Sequence, residues 1–108
     1  MKCQREWPIP VEGDSRAIDL LLTNLPKCIG VEAETVLDDL QAMQRELNLK
    51  QRDAGLERLI LLVRGSRRNR DTLRAADALQ RDLPLSSRAV MAALARGRDP
   101  GANGIVIL

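Results

Sequence analysis

Residues 58 to 65, RLILLVRG, contain five consecutive apolar side chains, Leu59 to Val63. A strand with one face in water alternates polar and apolar residues, so this run reads as a strand covered on both faces and parallel to a neighbour. A chain containing it needs layers on both sides of a sheet, and the flanking segments supply them. Upstream, Ile29, Val31 and Ala33 alternate with Gly30, Glu32 and Glu34, the period of a strand. Between the two strands, Val36, Leu40, Met43 and Leu47 form a helical stripe. The pattern predicts a helix from about 36 to 53, capped by Thr35, with Asp38 and Asp39 at its positive end and Gly55 as its stop. Residues 29 to 64 thus read as a βαβ unit.

Downstream, Asn69 is placed to cap a helix carrying Leu73, Ala76 and Leu79, and Ser86 or Ser87 to cap another through Val90, Met91 and Leu94 to Gly97. GIVIL, residues 104 to 108, closes the chain as a strand. Upstream, Arg16 to Leu22 alternates like a strand, giving the order β-β-α-β-α-α-β, with one more short strand placed around Trp7 to Val11. The expectation is one α/β domain over 1–108 with a mixed central sheet flanked by helices.

A hairpin centred between Leu25 and Pro26 pairs Leu22 with Ile29, Leu20 with Val31 and Ile18 with Ala33 on a wholly apolar face. On its other face Leu21 meets Gly30, Asp19 meets Glu32 and Ala17 meets Glu34. Two carboxylates with Cβ atoms roughly 5 Å apart repel unless something positive lies between them. Asp19, Glu32 and the backbone carbonyl of Ala33 form a hard oxygen set suited to Mg²⁺ or Mn²⁺. Such an ion activates water and stabilises charge on a phosphate under attack. The same acids also read as a solvated strand face, or as partners for arginines.

Composition removes several other chemistries. The chain has no histidine and two cysteines, Cys3 and Cys28, far apart and not in a CxxC pair, so zinc sites and histidine-based triads lack their ligands. Trp7 is the only aromatic residue, which leaves no platform on which successive bases could stack. A net charge of +2, from 17 basic and 15 acidic residues, leaves any contact with a polyanion to local patches. The apolar runs are far shorter than the roughly 20 residues that cross a bilayer, and MKCQREWP lacks the core of a signal peptide. The expectation is a cytoplasmic chain with no membrane partner.

Asp19, the hairpin, the ExE tripeptide at Glu32 to Glu34, the long helix and the buried parallel strand resemble the core of the PD-(D/E)xK nuclease superfamily. RAIDLLL, VEAET, LKQRD, LILLVRGSRRNR and SSRAVMAALARGRDP followed by GIVIL resemble the C-terminal domain found behind a helix-turn-helix domain in certain bacterial DNA-binding regulators. This likeness spans about Trp7 to Leu108. It implies a restriction-endonuclease-like core, with Asp19 and Glu32 as metal ligands for Mg²⁺ or Mn²⁺ and a water-orienting lysine at position 34. Glu34 stands there instead, and a glutamate cannot replace an ammonium beside a phosphate. Some members take a lysine or glutamine from the following helix, which brings Lys50 and Gln51 into the candidate catalytic group with Asp19, Glu32 and Glu34. About 15 residues of helix rise roughly 22 Å, which sets Lys50 near the far end of the strand, where it also reads as a cation complementing the helix dipole.

Arg64, Arg67, Arg68 and Arg70 cluster where the buried strand ends and a helix begins, a place suited to anions, and Arg67, Arg68 and Arg70 are the candidate phosphate contacts. A solvated loop is the competing reading. Trp7, between prolines, suits an edge segment packing its indole on the sheet. The nuclease core usually opens with a helix, and here six residues precede Trp7, so the sheet is expected to expose a face able to dock a second copy or a helix-turn-helix protein. Two functions follow: a magnesium-dependent nuclease acting on DNA, or a catalytically silent copy serving as an interaction or sensing module of a transcriptional regulator.

Overall fold

The computed structural model describes residues 2–10 and 16–108. Its elements are β1 (Lys2–Pro8), β2 (Ala17–Thr23), β3 (Ile29–Glu34), α1 (Leu40–Asp53), β4 (Arg58–Val63), α2 (Arg67–Arg74), α3 (Asp77–Asp82), α4 (Ser87–Ala95) and β5 (Gly104–Ile107). The five strands lie in sequence order across one sheet, antiparallel from β1 to β3 and parallel from β3 to β5. The described residues therefore form a mixed α/β domain with four helices. None of its described helices is long and apolar enough to cross a membrane.

The unbroken apolar run finds its expected place. In β4, Leu59, Leu61 and Val63 face a core under α1, α2 and α3, where Leu47, Leu73 and Leu79 meet them. Ile60 faces a second cluster with Leu22, Ile29, Val31 and Val106, closed by Val90 of α4. That second face was expected to be bare; α4 covers it. The close approach is made at Gly104, where an added Cβ would stand 2.5 Å from Val90 Cγ2 and 3.0 Å from the Leu85 carbonyl oxygen. The outer edge of β5 is closed too: the amide of Ile105 donates to Leu85 O at 3.0 Å and that of Ile107 to Ser87 Oγ at 2.8 Å. Such cover blunts a strand edge that could otherwise pair with another chain.

The hairpin register matches the apolar pairing: Leu22 with Ile29, Leu21 with Gly30 and Leu20 with Val31. The ladder then stops. Ile18, fully buried, joins Leu21 in the cluster under the helices, so strict alternation is broken between them and Ile18 does not face Ala33 across the opposite side. On the other flank Glu6, at φ 50°, is skipped in a β1–β2 register that pairs Arg5 with Leu20 and Trp7 with Ile18. The irregularity centres on Asp19. The extra strand exists as β1, seven residues beginning at Lys2, and Trp7 packs half-buried against the core; Val11 lies outside the described residues.

Helix starts depart from the sequence pattern. Helix α1 begins at Leu40, and its cap is Asp39, whose Oδ1 accepts from the amide of Ala42 at 3.0 Å, not Thr35. Val36 is exposed and contributes nothing to the buried stripe. Asn69 is not a cap either; Ser66 caps α2, its Oγ accepting from the amide of Asn69 at 3.1 Å. The single helix expected through Leu79 is divided at Ala75 and Ala76 into α2 and α3. Ser86, not Ser87, caps α4, with Oγ accepting from Ala89 at 3.3 Å.

Candidate functional site

The stretch between β3 and α1 is held by one buried side chain. Asn69 is 1 % exposed, and its Oδ1 accepts from the amide of Leu37 at 3.1 Å. Its Nδ2 donates to the carbonyls of Thr35 at 2.9 Å and Arg64 at 3.0 Å. One amide thus satisfies three backbone groups from two loops, which a helix cap could not do. These loops leave the C-terminal ends of β3 and β4, where open α/β sheets form their crevices.

At this end of the sheet the acids and one lysine meet. Glu32 lies on β3 opposite Leu61 and is 4 % exposed. Its Oε2 accepts from Lys50 Nζ at 3.3 Å, and its Oε1 is buried without a donor. Asp19, on the exposed side, uses Oδ2 to accept from the amide of Ala33 at 2.9 Å. The carboxylate takes up a strand amide just where the ladder between β2 and β3 stops. Lys50 is also 3.8 Å from Glu46, one helical turn earlier.

Burial pushes the Glu32 carboxyl up to about 7; Lys50 pulls the other way, and the neighbouring Asp19 adds to the rise. As a carboxylate Glu32 has nothing to offer Oε1, whereas as the neutral acid it can donate to Asp19. Two carboxyls close enough to share a proton are close enough to share a cation. Glu34, half-buried, is also raised, first by burial and then by Asp19 and Glu46, with Lys50 opposing. Among the described residues, no three His, Cys, Asp or Glu side chains converge on a point that could hold a metal ion by themselves. A cation here would draw on Asp19, Glu32, a carbonyl such as that of Ala33, and water.

Lys50 was expected level with the far end of the strand; it meets Glu32. The loop at 35–39 carries the chain past β3 before α1 turns back, and the rise from Leu40 to Lys50 is about 15 Å, short of the whole strand-to-lysine span. Gln51 does not join the group. Its amide pairs reciprocally with Asn103, at 3.2 Å and 2.9 Å, and Asn103 Oδ1 also accepts from the amide of Leu59 at the start of β4. Of the arginines, Arg68 is paired with Asp38 at 2.8 Å across to the α1 approach. Arg64, Arg67 and Arg70 are exposed and have no carboxylate partner among the described residues.

Three contributors were missed or given another part in the sequence reading. Glu46 stands four residues before Lys50, a spacing that signals the pair. Arg64 was noted only as part of its cluster. Asn69 was read as a helix cap, and its role of joining two loops gave no signal because two of its three partners lie more than thirty residues away in sequence. Comparison with family models, curated proteins and solved structures returned no match to this chain.

Proposed function

We propose that this chain is a nuclease-like domain with a restriction-endonuclease-type core, in which Asp19, Glu32 and Lys50 form a divalent-metal phosphodiesterase site. The observation that carries the reading is the Lys50 ammonium 3.3 Å from Glu32 Oε2, next to the unpartnered Oε1 and the Asp19 carboxylate. The lysine missing from position 34 is supplied by α1. A buried carboxylate oxygen with no donor, flanked by a second carboxylate, fits a hard cation. Asp19 and Glu32 would hold Mg²⁺ or Mn²⁺, which when bound supplies a Lewis acid for a phosphate oxygen and a water of lowered pKa.

The chain's own side chains have separable roles. The amide of Ala33 fixes the Asp19 carboxylate, and strand β3 fixes Glu32, so both ligands stand on a rigid element. Lys50, held between Glu32 and Glu46, keeps its remaining donor capacity for the charge that grows on an attacked phosphate. Glu34 adds negative charge at the rim. DNA is the substrate class in this reading, with Arg67 and Arg70 left to meet phosphates and Arg68 engaged by Asp38.

Incubation of linear and supercoiled DNA with the protein in Mn²⁺ tests it. Cleavage that EDTA stops, and that Lys50→Met slows by about 10²-fold or more, is the expected result. The absence of any metal-dependent cleavage, or an unaltered rate in Lys50→Met, refutes it. The second reading, a silent interaction module of a helix-turn-helix regulator, draws on Met91, 54 % exposed on the one helix that covers the second sheet face. It expects a stable complex with such a protein, or a homodimer, in sedimentation.

A further inference from the structure

Charge is shared unevenly between the two faces of the sheet. Helices α1, α2 and α3 mix both signs, with Glu46 and Asp53 on α1, Asp71 on α2 and Asp77 and Asp82 on α3. From Leu83 to Arg98 the chain has no Asp or Glu. It has Arg88, Arg96 and Arg98, all exposed and without a carboxylate partner among the described residues. The outer side of α4 is otherwise apolar: Met91 is 54 % exposed and lies three residues from Arg88, on the side that also carries Ala92 and Ala95. The strand positions on this face are apolar as well, with Leu20 and Leu62 partly buried and Ala33 exposed. A mainly apolar cleft of about 300 Å³ opens at the ends of β3 and β4, lined by Ala33, Leu62, Arg64 and the 74 % exposed Leu108. Glu34 borders it too, but its charge interacts with Glu46 and Lys50 on the α1 side. Ser87 Oγ accepts from the amide of Ile107 at 2.8 Å, which sets the first turn of α4, and Arg88 with it, at this same end of the sheet.

Five strands at a spacing of about 4.8 Å make a sheet about twice as wide as one helix, which is about 10 Å across. Helix α4 packs along β5, so its face has width for one helix more, over β3 and the strands before it. A second copy of this chain does not suit the place, because a two-fold interface sets the same arginines opposite one another. A nucleic acid is met by cations spread along a surface; here they border an apolar centre that includes Met91, the make-up of a protein interface. We propose that this face docks an acidic amphipathic helix of another protein, which lies beside α4, sets an apolar side chain in the cleft and pairs its carboxylates with Arg64 and Arg88. Burial of the exposed apolar groups drives the contact, and the guanidinium forks fix its orientation. The surface lies across the sheet from Glu32 and Lys50, so it goes beyond the phosphodiester reading. It rests on the interaction reading only in giving that reading a surface and a partner chemistry.

Two labelled helical peptides test it in fluorescence anisotropy, both with a leucine stripe at helical spacing, one flanked by glutamates and the other by lysines. The glutamate peptide is expected to bind the wild-type chain about tenfold more tightly than the lysine peptide. Met91→Glu, at an exposed side chain, abolishes that binding and leaves the melting temperature and any Mn²⁺-dependent cleavage unchanged. Arg64→Glu and Arg88→Glu each weaken it about tenfold and together turn the preference to the lysine peptide. Arg45→Glu, on α1 across the sheet, changes neither. No binding of the glutamate peptide, equal affinity for both peptides, or binding that survives Met91→Glu overturns the proposal. So does tighter binding to a DNA duplex or to phosphatidylserine vesicles, lost in the same variants, or a homodimer in sedimentation that Met91→Glu dissolves. The readings fail separately. A stable complex with a helix-turn-helix protein that ignores Met91→Glu keeps the interaction reading and refutes this surface. Peptide binding without any metal-dependent cleavage refutes the hydrolytic site and supports this surface.

Discussion

Glu32→Gln raises the stability of the folded chain above about pH 7 by on the order of 3 kcal/mol. The native state holds the Glu32 proton up to about 7, against 4.5 for a free glutamate, so between those values the folded chain binds more protons than the unfolded one. Stability therefore falls as pH rises through this window and levels off above it. Glutamine keeps the shape of the neutral acid, including a donor that can reach Asp19, and removes the cost. Glu34 acts in the same direction. Asp53, Asp82 and Asp99 act in the opposite one. Hydrogen bonds from Arg16, from Gln44 and from Arg58, respectively, hold them below the ordinary aspartate value of 3.8, so their contribution is lost only at more acidic pH. Urea unfolding across pH reads the result: a wild-type midpoint that declines from about pH 5 to 7, and a flatter profile for Glu32→Gln. A wild-type profile that rises through this window contradicts the buried-acid account.

Asn69→Ala costs about 3 kcal/mol, among the larger effects of a single polar substitution. Its removal strands the amide of Leu37 and the carbonyls of Thr35 and Arg64 at once, where a void replaces the side chain. Asn69→Asp costs more still. An aspartate keeps the acceptor for Leu37 and turns a second oxygen, charged and 1 % exposed at that position, toward two carbonyls. Because these loops fix the ends of β3 and β4, the same substitutions loosen the segment that brings α1 back over Glu32. Equilibrium denaturation measures the first effect, and faster hydrogen exchange at the amide of Leu37 the second. Full stability in Asn69→Ala would remove Asn69 from this role.

The parts of the fold that were legible in the sequence are those decided by local period. The run Leu59 to Val63 could be covered on both faces only in a parallel centre, and the matched apolar faces of β2 and β3 admitted one register. What escaped was decided by contacts distant in sequence. Thr35 and Asp38 look like a helix start, but Asn69 claims the carbonyl of Thr35 and the amide of Leu37 before a helix can use them, so α1 waits until Asp39. That delay belongs to the same path that delivers Lys50 to Glu32, a meeting that spacing alone did not reveal. Gln51, adjacent in sequence, is taken by Asn103 from the far side of the chain. The two carboxylates were found by register counting, although Asp19 reaches its place by binding the amide of Ala33 where the ladder ends and not by pairing across it.

The central claim is that Asp19 and Glu32 hold a divalent cation beside Lys50, and a thermal melt in Mn²⁺ tests it most directly. An ion that binds the native state at about a hundred times its dissociation constant adds about 2.7 kcal/mol, a rise of several degrees for a domain of this size. The account expects that rise in the wild-type chain and its loss in Asp19→Asn, with the fold of the variant intact in the absence of metal. No rise at saturating Mn²⁺, or a rise that survives Asp19→Asn undiminished, would contradict it.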